Sequence, residues 1–144
     1  MIEKNISFSN EGRVKLKEGI DTLSEAVAST LGASGRTVII EDQFGNPHIT
    51  KDGVTVANSI VLSDPVANLG VSILRQASQK TASEAGDGTT TSCVLAKAII
   101  DRCFDEGVTF ENVTQAKEGL EFAAKEVVSN LQKSKKAITE KNLI

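Results

Sequence analysis

A chain of 144 residues that is 40% hydrophobic but only 3% aromatic can bury a core, and that core must be built from Ala, Val, Ile and Leu. Sixteen Lys/Arg against nineteen Asp/Glu leave a net charge of −3, which gives no support to nucleic-acid binding, and the lack of Trp and Tyr argues against base-stacking modules. The longest uncharged run, residues 53–63, falls well short of the roughly twenty apolar residues of a membrane span, and the N-terminus lacks the basic-then-apolar pattern of a signal peptide.

Residues 5–8 alternate enough for a short strand with Ile6 and Phe8 on one face. Over residues 11–31, Leu16, Ile20, Leu23, Val27 and Leu31 recur at helical spacing, and Gly32 ends the helix. Residues 32–35 read as a flexible loop. The β-branched run 36–41, the turn around Gly45-Asn46-Pro47 and the return over 48–50 predict a β-hairpin. Two strands alone are marginal in water, so the hairpin needs another surface to lean on. Lys51-Asp52-Gly53 reads as a tight turn before a short helix to about residue 60.

Asp64-Pro65 is cap-then-first-turn chemistry, and Val66, Leu69, Ile73, Ala77 and Thr81 carry a helix to about residue 84. Residues 85–88 break it. Residues 89–106 are helical through Val94, Leu95, Ala98, Ile99, Cys103 and Phe104, until Gly107. A last helix runs from about residue 110 to 131 through Val113, Ala116, Leu120, Ala124, Val127 and Leu131, and the tail 132–144 loses the pattern. Cys93 and Cys103, about 15 Å apart on one helix, cannot pair; they read as free, mostly buried thiols of a cytosolic protein. With the single His48 they make no zinc site. No βαβ alternation is visible, so the expected fold is mainly α: a helical bundle with a β-hairpin and a short N-terminal strand.

Three segments carry candidate chemistry. Gly86-Asp87-Gly88-Thr89-Thr90-Thr91 lies between two long helices. Its glycines permit close approach to the backbone, its threonines open a helix whose first amides attract anions, and Asp87 is a hard ligand suited to Mg²⁺. That combination points to a nucleotide triphosphate with magnesium, although the same residues also make an ordinary turn and cap. Thr30-Leu31-Gly32 ends a helix, where free carbonyls favour a cation or simply stop the helix. Lys51-Asp52-Gly53 offers a lysine for phosphate and an aspartate for a water or metal, or a plain charged turn. None of these is a Walker A loop, because no Gly-Lys-Ser/Thr stands at the required spacing.

Taken in order, Thr30-Leu31-Gly32, Gly35-Arg36, Phe44-Gly45, Ile49-Thr50-Lys51-Asp52-Gly53-Val54, Asn68-Leu69-Gly70 and Ala85–Thr91 resemble the N-terminal part of a group I chaperonin. The resemblance implies the first half of an equatorial ATP-binding domain over residues 1–135. Residues 136–144 would be a tail or the start of the connection to an intermediate domain. It implies that Thr30, Leu31, Gly32 and Ala33 line a nucleotide pocket. Lys51 and Thr30 would lie by a K⁺ site, and Lys51 also near the phosphates. Asp87 would hold Mg²⁺, Gly88, Thr89, Thr90 and Thr91 would wrap the phosphates, and Asp52 would be the catalytic carboxylate near the attacking water. ATP, Mg²⁺ and K⁺ are the implied cofactors.

The same resemblance makes the hairpin a stem loop that pairs with a neighbouring subunit, together with the strand at 5–8. The implied partners are further subunits in a homo-oligomeric ring, plus a co-chaperonin and unfolded polypeptide bound through other domains, all in the cytoplasm. Nucleic acid and membrane are not among them. The alternative is a catalytically inactive assembly fragment that self-associates or joins chaperonin rings. Two departures mark an unusual member: Ala33-Ser34 stands where the family has Pro-Lys, and Glu111-Asn112 stands where it has a helix-starting Asn-Pro. A family subunit is also several times longer.

Overall fold

The computed structural model describes residues 6, 9–42, 44–104 and 112–136. Two compact units divide the chain at residues 1–105 and 106–144. The first contains α1 (Ser9–Ala28), β1 (Val38–Glu41), β2 (Pro47–Thr50), α2 (Gly53–Ser59), α3 (Pro65–Ala85) and α4 (Thr89–Phe104). The second contains α5 (Val113–Ser134). The mainly helical fold with one small sheet is the expected one. The strand expected at 5–8, Ile6 aside, lies outside the described residues, as do the Gly107 stop, the start of the last helix near residue 110 and residues 137–144 of the tail.

The core is aliphatic, as the composition requires. Ile20, Leu23 and Val27 of α1 meet Val56 and Ala57 of α2, Val71 and Leu74 of α3, and Cys93 of α4. Each fully buried Leu or Val contributes about 1.5–3 kcal/mol relative to exposure. Val38, Ile60, Leu62, Ala96 and Ile100 pack around this centre.

The buried face of α3 is one step round from the residues whose spacing announced the helix. Ala67, Gly70, Val71, Leu74 and Ser78 are buried, while Leu69 and Ile73 are 59% and 51% exposed. Small residues decide this. A Cβ on Gly70 would lie 2.1 Å from the Leu16 carbonyl oxygen, and one on Gly19 would lie 1.8 Å from that of Ala67. The two helices therefore cross backbone against backbone, each offering a glycine to the other, and the bulky Leu69 and Ile73 turn away. On α4 the same selection buries Cys93 and leaves Leu95 and Ile99 exposed. Cys103 is half-buried, and both thiols are free. Burial pushes the Cys93 thiol above its ordinary range.

Polar groups tie the helices together. Asp64 caps α3: its Oδ1 accepts from the amides of Val66 and Ala67 at 2.8 and 3.0 Å, and Lys15 of α1 meets its Oδ2 at 3.0 Å. Arg75 of α3 donates to the carbonyls of Ala57, at 2.9 Å, and Ile60, closing the C-terminal end of α2. Lys17, Asp21, Lys97 and Asp101 form a closed ring of alternating charge across α1 and α4, with the two cross-helix contacts at 2.9 and 3.1 Å.

That ring predicts a pH window. The Lys97 and Lys17 hydrogen bonds hold Asp101 below its ordinary range, while bonds from Asp101 and Asp21 raise Lys97, and bonds from Asp21 and Asp101 raise Lys17. A depressed carboxylate contributes stability above its unfolded pKa, about 3.9, and loses it as pH falls through the folded value. A raised lysine contributes below about 10.4 and loses it as pH rises through the folded value. Lys97→Met is therefore expected to destabilise by about 1 kcal/mol or less near pH 7, and by less still near pH 3. Urea denaturation at both pH values measures this; an equal loss at the two would exclude the ring as its source.

The hairpin is antiparallel, with Val38 opposite Thr50 and Ile39 opposite Ile49. Val38 leans on the core, which supplies the surface the two strands need, while Ile39 and Ile49 stay 68% and 65% exposed on the other face. Asp42 organises the tip. Its carboxylate accepts from the amides of Phe44 and Asn46, both at 2.8 Å, and from the Asn46 side chain. These bonds, led by the Asn46 amide, hold it below the usual carboxylate range. In the second unit, Asn112 caps α5, and none of that helix's residues is buried.

Candidate functional site

α1 ends earlier than its apolar spacing suggests, at Ala28 rather than Leu31. Tight turns follow, from Thr30 N–H to Val27 O at 3.1 Å and from Leu31 N–H to Ala28 O at 3.0 Å. The Thr30 hydroxyl also donates to Val27 O, at 2.7 Å, and Thr30 is buried; Leu31 is exposed. Gly32 takes a positive φ of 76°, which suits glycine. The loop expected to be flexible is closed at its base by Arg36 N–H on Ser29 O at 2.7 Å. Gly35 lies flat on the Thr30 carbonyl, where a Cβ would come within 2.2 Å of its oxygen. Ala33 stands exposed at the loop's edge.

Lys51 is exposed. Asp52 is the N-cap of α2: Oδ2 accepts from the Thr55 amide at 2.9 Å and from its hydroxyl, while Oδ1 accepts from the Val54 amide at 3.4 Å. The Thr55 hydroxyl is the main reason its carboxyl lies below the usual range. A carboxylate so held is ionised at neutral pH. It is suited to accept and orient rather than to take a proton as a strong base.

Gly86 ends α3 with φ 75°, and Gly88 follows with φ 82°. The Asp87 carboxylate turns to the Gly88 amide at 2.6 Å. The first backbone bond of α4 is Ser92 N–H to Gly88 O at 2.9 Å, so the amides of Thr89, Thr90 and Thr91 have no acceptor within the helix. Asp52, Asp64 and Asn112 plug the starts of α2, α3 and α5 with their own side chains. The residue before α4 is Gly88, which has no side chain to do so.

The decisive contact is at Gly53. It is buried, and a Cβ there would lie 2.3 Å from Thr90 Oγ1 and 3.3 Å from Val27 Cγ1. Lys51-Asp52-Gly53, the start of α4 and the last turn of α1 thus meet at one residue. Val27 in turn accepts from the amide and hydroxyl of Thr30, so the third segment singled out in the sequence follows directly from this corner. Read as a turn glycine, Gly53 gave no hint of that role. Thr55 and Arg75 were also missed, because their partners are set by the local turn and by tertiary contacts respectively.

The profile of the TCP-1/cpn60 chaperonin family matches residues 23–143, a span that takes in all three segments. The chain belongs to this chaperonin family. Its fold is similar to that of the chaperonin gp146 from the bacteriophage EL 2 (Pseudomonas aeruginosa), solved in the presence of ATP-BeFx. That match has a TM-score of 0.76 and 29% identity, over 90% of this chain and 22% of that one. It is also similar to a group III chaperonin in the open state, with a TM-score of 0.71 and 25% identity, over 89% of this chain and 25% of that one. This chaperonin chain therefore spans a quarter or less of the chaperonins it matches. No described helix is long and apolar enough to cross a membrane.

Among the described residues no three His, Cys, Asp or Glu gather as a metal cage. Asp87 nevertheless fits Mg²⁺. It is an exposed carboxylate with one oxygen on the Gly88 amide, beside open helix amides, and Mg²⁺ commonly binds through one carboxylate plus phosphate oxygens.

Proposed function

We propose that the corner formed by Thr30-Leu31-Gly32-Ala33, Lys51-Asp52-Gly53 and Asp87–Thr91 binds Mg-ATP, as part of a group I type chaperonin that couples ATP hydrolysis to protein folding. The observation that carries this is the Gly53–Thr90 contact, which brings the residue following Lys51-Asp52 against the one open helix start of α2–α5. Membership of the chaperonin family supports it, as does the nucleotide analogue present with the phage chaperonin.

In this reading the amides of Thr89, Thr90 and Thr91 take the phosphate oxygens, and the helix dipole favours their charge. Gly88 lets the phosphates approach the backbone. Asp87 holds Mg²⁺, which would neutralise charge developing on the phosphates. Lys51 pairs with the phosphates, and its carbonyl with that of Thr30 offers oxygens for K⁺, since an ammonium cannot ligate a cation. Asp52 orients the attacking water. The first half of an equatorial domain, residues 1–135, is too small for the whole cycle. The chain alone is expected to hydrolyse ATP poorly or not at all. Ring subunits, a co-chaperonin, unfolded polypeptide and a cytoplasmic setting complete the proposal.

The test is a thermal melt of the purified chain. Mg-ATP at about a hundredfold excess over Kd should add about 2.7 kcal/mol of stability by mass action, read as a higher Tm. Asp87→Ala is expected to abolish the shift; an unchanged shift would remove Asp87 from the site.

A second reading is an assembly module without catalysis. It is favoured by the open Ile39/Ile49 face of the hairpin, with Phe44 87% exposed at the tip. Sedimentation separates the two, because a strict monomer that ignores chaperonin rings would exclude it.

A further inference from the structure

The Asp52 carboxylate is used unequally. Oδ2 takes both donors of Thr55, the amide at 2.9 Å and the hydroxyl at 2.5 Å. Oδ1 takes the Val54 amide at 3.4 Å, a length at which a hydrogen bond is weak. Asp64, the N-cap of α3, shows the contrast. There Oδ1 accepts two short amide bonds and Oδ2 meets Lys15, so both oxygens are occupied.

Capping alone does not call for this arrangement. In a capping box the third helical residue reaches back to the amide of the N-cap. Here the Asp52 amide is bonded instead by the Thr50 hydroxyl, at 3.0 Å. Thr55 is thereby released to grip the carboxylate itself. Next along the chain, Gly53 lies against Thr90 at the start of α4.

We infer that Thr55 is a positioning residue for Asp52: it pins Oδ2 and leaves Oδ1 as the acceptor that orients a water beside Thr90. This role rests on the corner binding Mg-nucleotide. Thr55→Val removes the hydroxyl and keeps the amide and the shape; Thr55→Ser restores the hydroxyl.

The probes are Mg-ADP, and Mg-ADP with aluminium fluoride, which imitates the in-line attack of water on a phosphate. Thermal shifts of the chain are measured with each. The expected result is an extra shift with aluminium fluoride in wild type, lost in Thr55→Val and retained in Thr55→Ser, with the Mg-ADP shift equal in all three. In an Asp52→Asn background, Thr55→Val should change nothing further. The role is overturned if Thr55→Val keeps the extra shift, if Thr55→Ser fails as Thr55→Val does, or if wild type gains no extra shift.

A double-mutant cycle separates this from the nucleotide reading. If Mg-ADP produces no shift at all, the binding reading falls, and Thr55 is judged by urea denaturation of the chain alone. A loss in Thr55→Val that Thr55→Ser restores and that vanishes in an Asp52→Ala background supports the grip on Oδ2. Equal losses with Asp52 and with Asp52→Ala overturn it.

Discussion

Gly53→Ala is expected to pry α2 from α4 and remove the response to Mg-ATP while most of the helical fold survives. The added Cβ would sit 2.3 Å from Thr90 Oγ1, with Val27 Cγ1 at 3.3 Å on the core side. Val27 is fully buried and cannot retreat. Thr90 is β-branched, so turning its hydroxyl away swings its methyl into play. The backbone must shift, at about 1–3 kcal/mol for overpacking of this kind. A compensating change makes the prediction sharp. With Thr90→Ala the nearest Thr90 atom would be its Cβ, at 3.4 Å from the new methyl, an ordinary contact. The double variant Gly53→Ala/Thr90→Ala should regain the melting temperature. If it melts as low as Gly53→Ala alone, the Gly53–Thr90 contact is not what the methyl disturbs.

The largest stability losses are expected at the α1–α3 crossing. Gly19→Ala and Gly70→Ala each drive a methyl to within about 2 Å of a partner backbone, 1.8 Å from Ala67 O and 2.1 Å from Leu16 O. No rotamer change relieves a clash with a carbonyl. Each should cost about 3 kcal/mol or more, against a total of about 5–15 kcal/mol for a typical domain, so the pair together should unfold the chain. Gly119→Ala is the control. Nothing lies within 4 Å of its Cβ position on α5, and helix propensity alone should stabilise by about 1 kcal/mol at most. Circular dichroism with urea measures all three. Gly70→Ala within about 0.5 kcal/mol of wild type would show that the helices do not touch there.

These two places also show what the sequence could and could not disclose. Helix existence was legible because local chemistry sets it: Asp64-Pro65 starts α3 and Gly86 ends it, as their cap and left-handed geometries require. Which face of α3 is buried was not legible. Leu69–Ile73 and Val71–Leu74 are both apolar stripes, and the choice between them is made by Gly19 on another helix. The three site segments were visible as motifs, since glycine turns and a threonine run are local signals. Their convergence was not, because it depends on the space left by a missing side chain at Gly53. Nor does any spacing rule reveal that Thr50 satisfies the Asp52 amide and so frees Thr55.

The helix starts carry one more consequence. At α2, α3 and α5 an anion from solution meets a side chain already tethered in place. At α4, Gly88 supplies no such rival. Among α2–α5 the fold thus leaves only the start of α4 without a capping side chain. In the proposed Mg-ATP site, selectivity for this helix start would owe as much to the acids and amide stationed elsewhere as to the glycine beside it.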